Sequence, residues 1–149
     1  MAGATAGRGA GGGMGTTCDY TIIFDGGAKG NPGLGYGSYE ISTRAGDRKT
    51  RRLDFGDNIT NNEAEYLTLI AALEGLAAMI GRHGRQPSDF SLCIRGDSQL
   101  VVQQLLGRWK VNHPNMRPLH ERAGALLRGF GRVDLAWHAR ANSVRTLGH

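Results

Sequence analysis

Three acidic residues far apart in the chain, Asp25, Glu65 and Asp97, each stand where a strand or loop hands over to the next element. Their neighbours are small or amide-bearing: FDGGAKGNPG, TNNEAEY and RGDSQLVV. A hard divalent cation takes several oxygen ligands, and carboxylates from distant stretches of chain meet only if a sheet brings its strand ends together. The fold is therefore constrained to one in which these segments converge on a single site able to hold magnesium or manganese.

The remaining pattern supplies such a sheet. Residues 20–24 (YTIIF) form a β-branched and aromatic run that ends at Asp25, and the following GGAKGNPG reads as a turn. Residues 35–43 and 47–55 flank Arg44, Ala45 and Gly46 and read as a hairpin of an antiparallel meander. From Asn61 to about Gly81 the apolar positions recur with helical spacing, with Thr60 and Asn61 as candidate caps. Residues 90–94 read as a second central strand leading to Asp97, 98–106 as a short helix, 118–128 as another, and 132–140 as a last strand. Three antiparallel strands followed by helix, strand, helix, helix, strand imply an α/β domain, a five-stranded mixed sheet with helices on its faces.

A chain of 149 residues suits one domain. Residues 1–17 (MAGATAGRGAGGGMGTT) lack apolar periodicity and are expected to be a flexible tail, which leaves 18–149 as the folded domain. The 18 Lys and Arg against 13 Asp and Glu give a net charge of +5. With several acids assigned to a cation, the rest of the surface is more basic than this sum and favours a polyanionic partner. Arg48, Lys49, Arg51 and Arg52 suit either such a partner or a sheet edge protected by charge. Cys18 and Cys93 form no framework, so neither a disulfide nor a zinc site is expected. No apolar stretch approaches the ~20 residues that span a bilayer, and the N-terminus lacks a signal-peptide core. A cytoplasmic protein without membrane association is the expectation.

The segments DGGAKGNPG at 25–33, TNNEAEY at 60–66 and GDSQ at 96–99 resemble the type 1 ribonucleases H in residue type, order and spacing. The resemblance runs from about Asp19 to near the C-terminus. It implies a ribonuclease H-like sheet and hydrolysis of the RNA strand of an RNA–DNA hybrid by a monomer with no obligate protein partner. Its metal ligands fall on Asp25, Glu65 and Asp97; Glu63 is not one, and suits the helix N-terminus instead. The mechanism implied uses two Mg2+ ions, with Mn2+ an alternative, about 4 Å apart on the scissile phosphate. Asp25 would bridge them, with Glu65 and Asp97 holding one each.

Selectivity for RNA rests on the 2′-hydroxyl, which both donates and accepts. Asn31, Asn62 and Gln99 offer amides beside the acids, with turn formation and capping the alternative role for the two asparagines. Gly26, Gly27 and Gly30 would let the backbone approach a nucleic-acid strand, and the resemblance assigns Thr60 to a phosphate of the DNA strand. Trp109, Lys110 and Arg117 lie where longer members insert a basic substrate-gripping segment, with packing the alternative for Trp109.

The family usually supplies a fourth acid after the last strand, in a context such as Arg-Ala-Asp. Here no Asp or Glu follows Asp134, and Arg140, Ala141 and Asn142 reproduce that context with Asn. Asn142 is read into the fourth position because an amide oxygen can ligate a metal; a second register would put Thr146 there. His138 is a candidate for proton transfer or product release, placed in the last strand, with His149 the other histidine at this end. His83, His113 and His120 read as surface residues. Two rival readings stand beside the nuclease: a hybrid- or duplex-binding module without catalysis, and a related nuclease that also cuts double-stranded RNA.

Overall fold

The β-branched run after Asp19 forms the centre of the sheet, and the other strands assemble around it. The structure is a computed structural model that describes residues 4–6 and 18–147. In chain order its elements are β1 (Ala4–Ala6), β2 (Tyr20–Lys29), β3 (Gly33–Thr43), β4 (Arg48–Ile59), α1 (Asn61–Arg82), β5 (Ser91–Gly96), α2 (Gln99–Leu105), α3 (Arg117–Arg128), β6 (Arg132–Trp137) and α4 (Arg140–Leu147). The strands lie in the order β1-β6-β5-β2-β3-β4. β2, β5 and β6 run parallel, while β2, β3 and β4 form the antiparallel meander. The five expected strands are thus present, with β1 added at the edge: Ala4–Ala6, inside the stretch read as a tail, pair in parallel with β6. Residues 1–3 and 7–17 of that stretch lie outside the described residues.

One face of the sheet carries Ile22, Phe24, Leu92, Ile94, Val133 and Leu135, all fully buried. Against it pack Leu69, Leu73 and Leu76 of α1, Val101 of α2 and Leu127 of α3, each such side chain contributing about 1.5–3 kcal/mol on burial. α1 corrects one expectation: over its 22 residues it is long and apolar enough to cross a bilayer by composition. That apolarity is spent on the core, where ten of its residues are buried.

Two glycines decide how closely α1 can sit. Gly26 and Gly37 face each other across β2 and β3. A Cβ on Gly26 would lie 2.6 Å from the Ala64 carbonyl oxygen, and one on Gly37 would run into the Thr68 hydroxyl. Ala64 and Thr68 are one turn apart on α1, and the Thr68 hydroxyl donates to Ala64 O at 2.7 Å. The first turns of α1 therefore rest in a notch that any side chain would fill.

β2 is longer than its apolar run suggests. It continues through Gly26, Gly27 and Ala28 to Lys29, paired throughout with β3, so Asp25 lies inside a strand and not at its end. Small residues that read as a turn are here strand residues whose missing side chains admit α1 and Tyr36. The turn itself is confined to residues 30–32, with Gly30 at φ +83° and a cis Asn31–Pro32 bond.

The cysteines also depart from expectation. Cys18 and Cys93 form a disulfide across a sequence separation of 75, with Cα atoms 5.7 Å apart. The parallel register explains it: Thr21 pairs with Cys93, which brings the residues before β2 alongside β5. Asp19 completes the staple, its carboxylate accepting from Ser91 N at 2.9 Å and Ser91 Oγ at 3.1 Å. The sequence reading also missed α4, and β6 ends at Trp137, which leaves His138 in the connection between them.

The notch makes a prediction about two glycines of opposite sign. Gly37→Ala overpacks the α1 contact and lowers stability by about 1–3 kcal/mol. Gly81, whose Cβ would meet nothing within 4 Å, gains up to about 1 kcal/mol as alanine through helix propensity. Denaturant midpoints of the two variants measure both.

Candidate metal centre

Register delivers two of the three acids. The parallel pairing of β2 with β5 ends at the rung Phe24–Gly96; Asp25 is the next residue of β2 and Asp97 the first residue after β5. Gly96 is needed there because a Cβ would lie 2.6 Å from the Phe24 ring. The third acid comes through the notch, since Glu65 follows Ala64, the residue seated on Gly26. Gly26 N donates to Glu65 Oε2 at 3.2 Å. One oxygen from each of Asp25, Glu65 and Asp97 lies within 4.8 Å of the others.

The cluster is largely withdrawn from water. Asp25 is 5% and Glu65 8% exposed, and the Asp97 side chain 5%. Burial, with Asp25 and then Asp97 adding repulsion, pushes the Glu65 carboxyl from its ordinary 4.5 up to about 9; the Gly26 N–H and Arg140 pull weakly the other way. Asp97 Oδ2 is buried and accepts no hydrogen bond among the described residues. A buried carboxylate oxygen without a hydrogen bond is costly, and a hard cation shared by the three acids is a partner this donor set fits.

The two glutamates of TNNEAEY separate as expected. Glu63 closes a capping box on α1: its Oε1 accepts Thr60 N at 2.9 Å while Thr60 Oγ1 accepts Glu63 N at 3.1 Å. The Thr60 hydroxyl keeps its own proton to donate. Asn31 ties the β2–β3 turn to α1, its Oδ1 accepting Asn61 N at 3.0 Å, so its capping role is real. Asn62 is exposed and lines a groove of about 320 Å³ with Thr60, Gln104, Lys110, Asn112 and His113. Gln99 is exposed at the start of α2. Gly26 and Gly27 spend their missing side chains on protein contacts, Gly27 on the Tyr36 hydroxyl, whereas Gly30 is exposed in the turn.

Trp109 is 48% exposed and is no core residue. His120 is not a surface residue either. It is half-buried edge-on to Tyr66, with Nε2 3.1 Å from Gln104 O. Tyr66 OH donates to Gln104 Oε1 at 2.7 Å, and Gln104 Nε2 donates to Lys110 O at 3.0 Å, which anchors the groove wall to α1.

At the other side, α4 packs on β2 and β3. Its first residue, Arg140, reaches within 4.0 Å of Asp97 Oδ2. Arg52, on the rung row of Asp25 and Ser38, donates to Leu147 O at the far end of α4. The helix therefore spans the Asp25 face from the acids to the edge strand. Asn142 is half-buried in its first turn, and Thr146 lies one turn on along the same side. His138 Nε2 lies 2.7 Å from Ser143 Oγ. Burial holds its pKa below the ordinary imidazole value, aided by Arg95 and opposed by Asp97. Arg140, read from the sequence only as context, is the cation nearest the Asp97 carboxylate; its signal was a basic residue two positions ahead of Asn142. His149 lies outside the described residues. Arg48, Lys49, Arg51 and Arg52 are all exposed on β4, the open edge strand.

Comparison with known proteins agrees with this geometry. Residues 24–145 match the family model described as reverse transcriptase-like. Over 125 residues the chain is 38% identical to ribonuclease HI of Halobacterium salinarum, covering 82% of this chain and 57% of that protein. A bifunctional protein of Mycobacterium tuberculosis is 37% identical over 124 residues, covering 83% of this chain and 32% of that one. The chain thus spans about a third to just over half the length of these relatives. Among solved structures, the crystal structure of RNase H1 from Halobacterium salinarum superposes with a TM-score of 0.74 at 37% identity, covering 86% of this chain and 92% of that one. LC11-RNase H1 in complex with RNA/DNA hybrid gives 0.75 at 28% identity, covering 85% and 89%. Fold and site together define a ribonuclease H-like domain. The chain belongs to the type 1 ribonuclease H family.

The raised Glu65 pKa sets a direction for stability. Below about pH 4.5 the group is protonated folded or unfolded and contributes nothing; between there and about 9 the folded state holds a proton the unfolded state has released, so stability falls as pH rises. Metal-free Glu65→Gln should therefore melt above the wild type near pH 8, with the gap closing towards pH 5. Added Mg2+ should raise the wild-type midpoint and leave the variant nearly unmoved. Thermal unfolding across that range checks both.

Proposed function

We propose that this domain is a divalent-metal-dependent endonuclease that hydrolyses the RNA strand of RNA–DNA hybrids. The observation that carries the reading is the approach of three carboxylates to within 4.8 Å of one another with a buried Asp97 oxygen left without a hydrogen bond. Family membership supports it, as does the hybrid bound to LC11-RNase H1. All three acids come from one chain, so the site needs no second subunit.

Asp25, on the central strand, would hold the metal together with Glu65 and Asp97. A pair of Mg2+ or Mn2+ ions held there would supply activation of water for attack on the phosphorus and stabilisation of the departing 3′ oxygen. The chain's own residues do the rest. Asn62 and Gln99, exposed beside the acids, read the 2′-hydroxyl, and Asn31 offers the amide N–H2 left over from its cap. The Thr60 O–H, at a helix start, donates to a phosphate of the DNA strand. His138, whose pKa burial holds below the ordinary imidazole value, takes up or delivers a proton at Nε2, now 2.7 Å from Ser143 Oγ.

Asn142 stands in for the fourth acid from the first turn of α4. It lowers the charge of the site by one against four carboxylates and cannot accept a proton. A pure binding surface would gain nothing from gathering unneutralised negative charge beside a phosphate, which favours the enzyme over a binding module.

Labelled hybrid, duplex RNA and duplex DNA, each with and without Mg2+, test the reading. Cleavage of the hybrid's RNA strand only with metal is expected. Cutting of duplex RNA as well would widen the substrate class, and binding without cleavage would overturn the enzyme. Asn142→Asp should tighten the Mg2+ dependence of cleavage; an unchanged titration would remove Asn142 from the site.

A further inference from the structure

The last residue of β6, the connection after it and the first residue of α4 supply partners of Gly96 and Asp97 at the end of the ladder. His138 N donates to Gly96 O at 3.0 Å. Trp137 Nε1 donates to Asp97 O at 3.1 Å. Arg140 reaches the Asp97 carboxylate at 4.0 Å. The middle contact is the unexpected one. Trp137 is 44% exposed and contributes little to the core, yet its indole N–H crosses to the Asp97 carbonyl, which anchors the backbone that carries the Asp97 side chain. Asp97 has left the sheet, since the ladder stops at the pair Gly96–Trp137, so no strand partner holds that peptide.

We propose that Trp137 is a positioning residue for Asp97, its indole N–H fixing the Asp97 peptide so that the carboxylate faces Asp25 and Glu65 in the geometry a shared cation requires. The inference rests on the metal-centre reading above. A donor acting on a ligand's own peptide is worth as much as the ligand's alignment, because a hard cation of magnesium size tolerates little error in oxygen placement. The partly exposed ring permits a different role, as a platform on which a base stacks, and the two roles separate cleanly. Phe keeps a stacking ring and loses only the donor; Ala loses both.

The test is Mn2+ binding to the substrate-free protein, by calorimetry, for wild type, Trp137→Phe and Trp137→Ala. Both variants should bind Mn2+ about fivefold more weakly, the loss of one neutral hydrogen bond, and the KM for hybrid should stay unchanged in Trp137→Phe while kcat falls. Wild-type affinity in Trp137→Phe, with a raised KM confined to Trp137→Ala, would assign the ring to stacking and overturn the inference. Failure of the wild type to bind Mn2+ would instead defeat the metal-centre reading itself. A second measurement needs no altered fold: on adding Mg2+ to the wild-type protein the Trp137 indole N–H resonance should shift while that of Trp109 stays. An unmoved Trp137 signal contradicts the inference.

Discussion

Three carboxyl groups held within a few ångströms and away from water cannot all ionise without strong mutual repulsion, and this repulsion is the constraint around which the domain is organised. The fold offsets part of it with what it has: the Gly26 N–H on Glu65, Arg140 near Asp97, and a proton retained on Glu65. None of these reaches the buried Asp97 Oδ2 with a hydrogen bond. A hard divalent cation is a partner that all three carboxylates could share at once.

Holding the charges together falls to features at opposite ends of the same parallel strand pair. At the start of β2 and β5, the Cys18–Cys93 bridge and the Asp19–Ser91 hydrogen bonds fix the register. At the other end that register places Asp25 of β2 and Asp97, just beyond β5, each one residue past the final rung. The glycine notch then brings α1 close enough for Glu65 to join them. A slip of one residue in the pairing would turn one aspartate to the opposite face, so the distant staple and the site are parts of one geometry.

Much of this was legible in the sequence, for physical reasons that differ by region. The three acid motifs were readable because each is a short contiguous run, and the long α1 because helical periodicity and the Thr60 cap are local signals. The extent of β2 was not, since glycines that serve close packing look like turn residues until the partner helix is seen. The disulfide was hidden because its pairing depends on parallel register over 75 positions and not on cysteine spacing. α4 escaped because only Ser143 and Leu147 of its eight residues are buried, too few to show a period. With it went the placement of Asn142 and Thr146 on one side of a helix and the role of Arg140 at its start.

The most direct measurement is the position of Mn2+ located by anomalous diffraction in crystals of the substrate-free protein. The account predicts at least one peak bonded at about 2–2.5 Å to oxygens of Asp25 and one or both of Glu65 and Asp97. Peaks confined to other surfaces, or none at a saturating concentration, would contradict it.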